Sequence, residues 1–188
     1  LAGDVWCAHC VHLRDDEIRR FGETGTGVAH CPTSNLRLGA GVAPVRDLLD
    51  ADVRVGLGVD GSASNERSDL FFEVKQALLV ARGRGGPAAL TVRDALALGA
   101  RGGAAILGRE DIGSLEPGKC ADFAVWRVDG LELGGAEDLV AGLVLSAPHR
   151  VDRLVVGGEE VVRDGHLVKA DEDEIAREHR REATRFAA

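Results

Sequence analysis

The sequence predicts an α/β protein built on a parallel sheet, followed by a smaller β unit and a charged helix. Two observations carry this. In the first half, three brief apolar runs, each closing on a polar residue, alternate with segments of helical periodicity. Beyond Gly108 the pattern changes to short strands separated by glycine-rich turns. Strands joined through helices make right-handed crossovers and lie parallel. Parallel sheets bury both faces, which suits runs that are apolar almost throughout.

Taken in order, Val5-Trp6-Cys7-Ala8-His9 reads as a buried strand. Asp15 to Glu23 is a short helix whose apolar stripe is Ile18 and Phe21. Gly27 to His30 is the second strand, and Cys31 to Gly41, rich in Pro, Ser, Asn and Gly, reads as loop. Val42 to Ala51 is helical, with Val45, Leu48 and Leu49 on one face and Pro44 tolerated in the first turn. Val53 to Val59 is the third strand, terminating at Asp60, and Gly61 to Arg67 is loop. Ser68 to Arg82 repeats Leu70, Phe71, Val74, Leu78 and Leu79 at helical spacing. Thr91, with Asp94 three residues on, opens a further helix in the manner of a capping box. Ile112 to Lys119 is turn-rich and Ala121 to Trp126 is a strand. Arg150–Val156 and Glu159–Arg163 form a hairpin through Gly157-Gly158, and Asp164-Gly165 makes the next turn. Asp171 to Phe186 is a charged surface helix.

Composition narrows the function classes. The 188 residues carry 23 Lys+Arg against 31 Asp+Glu, a net charge of −8. An acidic surface is repelled by nucleic acid and by anionic membrane, so neither is expected as a partner. No apolar run is long enough to span a bilayer. The chain contains 0 Met, and no basic-then-apolar leader opens it, so it reads as part of a longer protein. The cysteines at 7, 10, 31 and 120 read as free thiols of a reducing, cytoplasmic setting. Cys7-x-x-Cys10 lacks a second Cys/His pair at zinc spacing and a thioredoxin-like helix start, and is read as packing thiols.

The candidates for chemistry stand where strands end, the place that carries active sites in α/β barrels. His9 can shuttle protons near neutral pH, and Asp60 can ligate a metal and take a proton from a bound water. The bland alternative is a satisfied core histidine and a turn-capping aspartate. Asp60-Gly61-Ser62-Ala63-Ser64-Asn65 is a hydroxyl-rich loop in which Ser62, Ser64 and Asn65 can bond backbone or ligand; equally it is an ordinary βα loop. In His30-Cys31-Pro32-Thr33-Ser34-Asn35, Pro32 stiffens the exit from the strand, Asn35 can pin the loop, and His30 is either a metal ligand or a structural residue behind the site.

These strings resemble the amidohydrolase superfamily. Ala8-His9-Cys10-Val11-His12-Leu13, then Ala29-His30-Cys31-Pro32-Thr33-Ser34-Asn35-Leu36-Arg37-Leu38-Gly39, then Gly58-Val59-Asp60-Gly61-Ser62-Ala63-Ser64-Asn65 follow its metal-dependent deaminases, and Ile112 to Phe123 resembles the return from barrel to β-sandwich. The third string is most similar to 8-oxoguanine deaminases and hydroxy-triazine aminohydrolases. The resemblance implies the C-terminal half of a (β/α)8 TIM barrel, with strands six to eight in residues 1–110, β-sandwich strands in 111–170 and a surface helix in 171–188. It implies that His9 polarises water and substrate. It implies that Asp60 ligates a single divalent cation, zinc or iron, and takes the water's proton. It also implies an aminated heterocycle as substrate, ammonia as product, and a possible homodimer. The family's His-x-His, its strand-five histidine and its His-Leu-x-Glu have no counterpart here, so the other ligands are expected from a missing N-terminal half. A chloro- or amino-triazine hydrolase, a non-catalytic degenerate fragment, and a cysteine-based metal or redox module are the competing expectations.

Overall fold

The computed structural model describes residues 1–146 and 150–187. Strands β1 (Trp6–Ala8), β2 (Gly27–His30) and β3 (Val55–Leu57) form a parallel sheet in that order. Cys7 stands opposite Val28, and Val28 opposite Val55. Helices α1 (Asp15–Thr24), α2 (Pro32–Arg37) and α3 (Val45–Asp50) fill the crossovers, and α4 (Leu70–Gly85) follows β3. The chain then runs through α5 (Val92–Ala97), a π-helical turn (Leu98–Gly102) and α6 (Gly103–Ile106).

The middle strand β2 is buried at every position, as a strand flanked on both sides and covered on both faces must be. β1 departs from the expectation of a buried strand: Trp6 is 46% exposed. Among the described residues β1 pairs with β2 alone, so its other edge and part of its face meet solvent. The segment expected as loop from Cys31 to Gly41 contains α2, because Pro32 at the first helical position supplies a preset φ and lacks only an N–H that would go unbonded there. β1, β3 and α3 are shorter than their periodic runs, whereas α1 extends to Thr24 and α4 runs from Leu70 to Gly85.

Leu48, Val28, Val55, Leu78, Leu90, Ala95 and Leu98 make the core between sheet and helices. The π-helical turn lies directly on β3. A Cβ on Gly102 would sit 2.1 Å from the Val55 carbonyl oxygen, so a residue without a side chain is required at this crossing. The box anticipated at Thr91 is present: Asp94 N–H donates to Thr91 Oγ1 at 3.1 Å, and Thr91 N–H donates to the Asp94 carboxylate at 2.9 Å.

The second sheet is antiparallel, in the order β4 (Phe123–Val125), β5 (Arg153–Val156), β6 (Glu159–Arg163), β7 (His166–Leu167). Its two tight turns fall where expected. Gly157 and Gly158 have φ of 58° and 83°, and Asp164 and Gly165 have 50° and 79°, the positive values that two-residue hairpins of right-handed twist require. A helix absent from the sequence reading, α7 (Leu139–Ser146), packs Val144 into the main core. Phe71 of α4 meets Trp126 at 4.7 Å between ring centroids, joining the two sheets' surroundings. The final helix, α8 (Glu172–Phe186), buries no residue, and Asp171 caps it by accepting from the Asp173 and Glu174 N–H groups.

Candidate active site

The carboxyl ends of all three parallel strands point to one place. β1 delivers His9, β2 delivers His30 and the α2 residues after it, and β3 leads through Val59 to Asp60. The backbone turns abruptly at two of these ends. His9, Cys10 and Asp60 have φ of 67°, 50° and 62°, left-handed values that cost a non-glycine residue of order 1–2 kcal/mol. Such strain persists only where the surroundings hold it, and it concentrates at functional positions.

His9 and Asp60 face each other, with Nε2 3.7 Å from Oδ2 and both side chains about one-third exposed (39% and 34%). His9 Nδ1 lies 2.8 Å from Asn35 Oδ1. An amide oxygen only accepts, so Nδ1 donates and a neutral ring turns its Nε2 lone pair towards the carboxylate. Two acceptors in that relation repel unless a proton lies between them. A water beside the pair can donate one hydrogen to each.

Asp60 is held by hydroxyls. Ser34 Oγ donates to its Oδ2 at 2.6 Å, Ser64 Oγ reaches the same oxygen at 3.1 Å, and the two hydroxyls are 2.8 Å apart. The Ser34 bond foremost, then the Gly61 N–H and Ser64, hold the Asp60 carboxyl below the usual carboxylate range. Asp60 therefore stays ionised near neutral pH, and both hydroxyls fall on Oδ2, neither on Oδ1.

The other expected residues separate. His30 is 1% exposed; burial, with His9 nearby, pushes its pKa down to about 4, so it stands neutral behind the site. Its Nδ1 has no hydrogen-bond partner among the described residues. Asn35, Ser64 and Asn65 are buried, each bonded into the cluster. Ser62 is exposed and joins none of the hydrogen bonds given above. The sequence reading passed over two members. Ser34 sits between named neighbours and needed a fold to show its direction. Glu73, 0% exposed, interrupts Leu70-Phe71-Phe72-Glu73-Val74, and a charge on the inward stripe of a helix was the available signal.

For a metal, Asp60 offers one carboxylate, with His9 beside it. Zinc takes about three protein ligands and a water, and among the described residues no group of three or more His, Cys, Asp or Glu side chains is placed to hold an ion. The donor chemistry fits one corner of such a site. An apolar cavity of about 490 Å³ between α4 and the second sheet, lined by Leu70, Phe71, Val74, Trp126 and Leu154 among others, includes none of these residues.

A model of the amidohydrolase family matches residues 1–161. An 8-oxoguanine deaminase from Pseudomonas aeruginosa is 45% identical over 98% of this chain and 41% of its own length. An isoxanthopterin deaminase from an unknown prokaryotic organism is 40% identical over 96% of the chain and 41% of its own. Among solved structures, the zinc complex of atrazine chlorohydrolase from Arthrobacter aurescens TC1 superposes with a TM-score of 0.89 at 38% identity, over 94% of this chain and 40% of that one. A zinc-bound adenosine deaminase from Xanthomonas campestris gives 0.94 at 31%, over 99% and 43%. The chain thus spans about two-fifths of the length of the relatives it matches.

Proposed function

The chain belongs to the amidohydrolase family, and from that premise we propose that it is the strand-six-to-eight part of a (β/α)8 barrel enzyme that removes an exocyclic amine from a heterocycle by hydrolysis. The observation that carries the reading is the His9–Asp60 pair, 3.7 Å apart across two strand ends, with Asp60 fixed by two serines. The names of the relatives support the reaction class, and 8-oxoguanine or a similar aminopurine is the substrate we put first. The likeness to the triazine hydrolase favours a second reading, in which the same attack of water on a ring carbon of a hydroxy- or chloro-triazine expels an amine or chloride.

Asp60 would be the carboxylate ligand of a zinc ion whose remaining ligands come from the rest of a longer chain. When bound, that ion would make a water acidic enough to attack near neutral pH. The residues described here do the rest. Asp60 accepts the water's proton and can return it to the departing amine. His9, its ring fixed through Asn35, orients the nucleophile and stabilises charge developing on the ring as the carbon becomes tetrahedral. Ammonia leaves, the water's second proton ends on the adjacent ring nitrogen, and a ring carbonyl replaces the amine. The four unpaired cysteines suit a reducing compartment such as the cytoplasm.

The test is release of ammonia from aminopurines and pterins, and of amine or chloride from triazines, by the longer protein. Release from one class identifies the substrate group. No release from any, with zinc bound, overturns the reading.

A further inference from the structure

We infer that Glu73 is a positioning residue whose buried carboxylate clamps together the two segments that hold Asp60. This rests on the reading of Asp60 above. Glu73 lies on α4, one helix removed from the strand ends, and is 0% exposed. Its Oε2 accepts the Thr33 N–H at 3.1 Å and its Oε1 accepts Asn65 Nδ2 at 2.9 Å. Thr33 adjoins Ser34, and Asn65 adjoins Ser64, the two hydroxyls on Asp60 Oδ2. Asn65 Nδ2 also donates to the Val59 carbonyl at 2.9 Å, the peptide that leads into Asp60. One carboxylate therefore fixes both serines and the backbone preceding the aspartate.

The energetics argue for this role over packing. A buried carboxylate is costly unless hydrogen-bonded. The same helix face carries Val74, Ala77, Leu78 and Ala81, and an apolar side chain would continue that stripe without the cost. The acceptors of Glu73 are directed at donors from two other segments, separated from it by 40 and 8 residues, both of which reach Asp60. Displacement of a reacting group by about 1 Å can slow catalysis by about 100-fold, so a clamp of this kind bears on turnover more than on binding.

Glu73→Gln keeps the volume but replaces one acceptor with an N–H, so one of the two donors loses its partner. In the longer enzyme with its metal bound, this variant should lower kcat at least tenfold and leave KM within about threefold. Native-state hydrogen exchange should quicken in residues 32–37 and 59–68, and stay as in wild type in β2 and the body of α4. Asn65→Ala cuts the same tie from the other end, and the double variant should lose little more than either single one. Glu73→Asp, with both acceptors on a shorter stem, should recover part of kcat. Unchanged kcat and unchanged exchange in Glu73→Gln overturn the inference, as does faster exchange throughout the fold, which marks general loosening; if Glu73→Gln fails to fold, Asn65→Ala alone is read by the same criteria. If wild type releases no ammonia, the deaminase reading fails separately, and the exchange comparison still decides the clamp.

Discussion

The two sheets of this molecule use polar residues in opposite ways. In the parallel sheet, Ser34 and Ser64 meet Asp60, and Asn65 and Glu73 stand behind them, all buried: Ser34 at 0%, Ser64 at 8%, Asn65 at 1%, Glu73 at 0%. In the antiparallel sheet, charges are plentiful but paired on the surface. Arg163 and Arg153 both reach Glu160, Lys169 reaches Glu159 at 2.7 Å, and Arg127 reaches Asp152 at 3.0 Å. Strand direction explains the contrast. Parallel strands present their carboxyl ends on one side, so residues distant in sequence meet there, whereas hairpins alternate their ends and scatter them. The lesson is that charge density does not mark a site; hydrogen bonds from separate segments onto one carboxylate oxygen do.

The comparison predicts a wide spread of mutational effects. The largest is at the point of convergence. Asp60→Asn in the longer enzyme should reduce ammonia release by about 10³-fold or more and lower zinc content, and His9→Ala should slow release by about 10²- to 10⁴-fold with zinc retained. Wild-type rates in Asp60→Asn, or metal lost in His9→Ala, would reassign the two roles.

Next comes His30, buried and neutral beneath the pair. Its pKa is about 4 in the fold against 6.5 when unfolded, so the unfolded chain takes up the proton first as the pH falls. The stability this gives is fully present above pH 6.5 and is lost as the pH drops towards 4, an effect of about 3 kcal/mol. Urea unfolding of wild type and His30→Gln at pH 7 and pH 4 should show the smaller pH dependence in the variant. The smallest effect belongs to the second sheet. Arg163→Ala removes an exposed pair with Glu160 and should leave the urea midpoint close to that of wild type. A midpoint lowered as far as by a core substitution would break the contrast between the sheets.

How much of this the amino-acid string revealed follows the same division. The order of strands and helices, the Thr91 box and both tight turns were legible because each depends on neighbouring residues. The exposure of Trp6 was not, since an edge strand and a central one share an apolar pattern. Helix α2 was hidden because Pro, Ser and Asn also suit loops. His9 and Asp60 could be singled out as strand-end residues, and Asn35, Ser64 and Asn65 as polar loop residues. Their mutual bonds, the direction of Ser34 and the reach of Glu73 across 40 residues to Thr33 depend on tertiary approach.

The left-handed backbone at positions 9, 10 and 60 restricts the vocabulary available there before chemistry is considered. Valine, isoleucine and threonine are shut out by their branched Cβ, while glycine and asparagine are admitted and bring neither imidazole nor carboxylate. Variation along these strand ends is therefore left to neighbours such as Ser62, exposed and outside the left-handed region, where the main chain imposes no such veto.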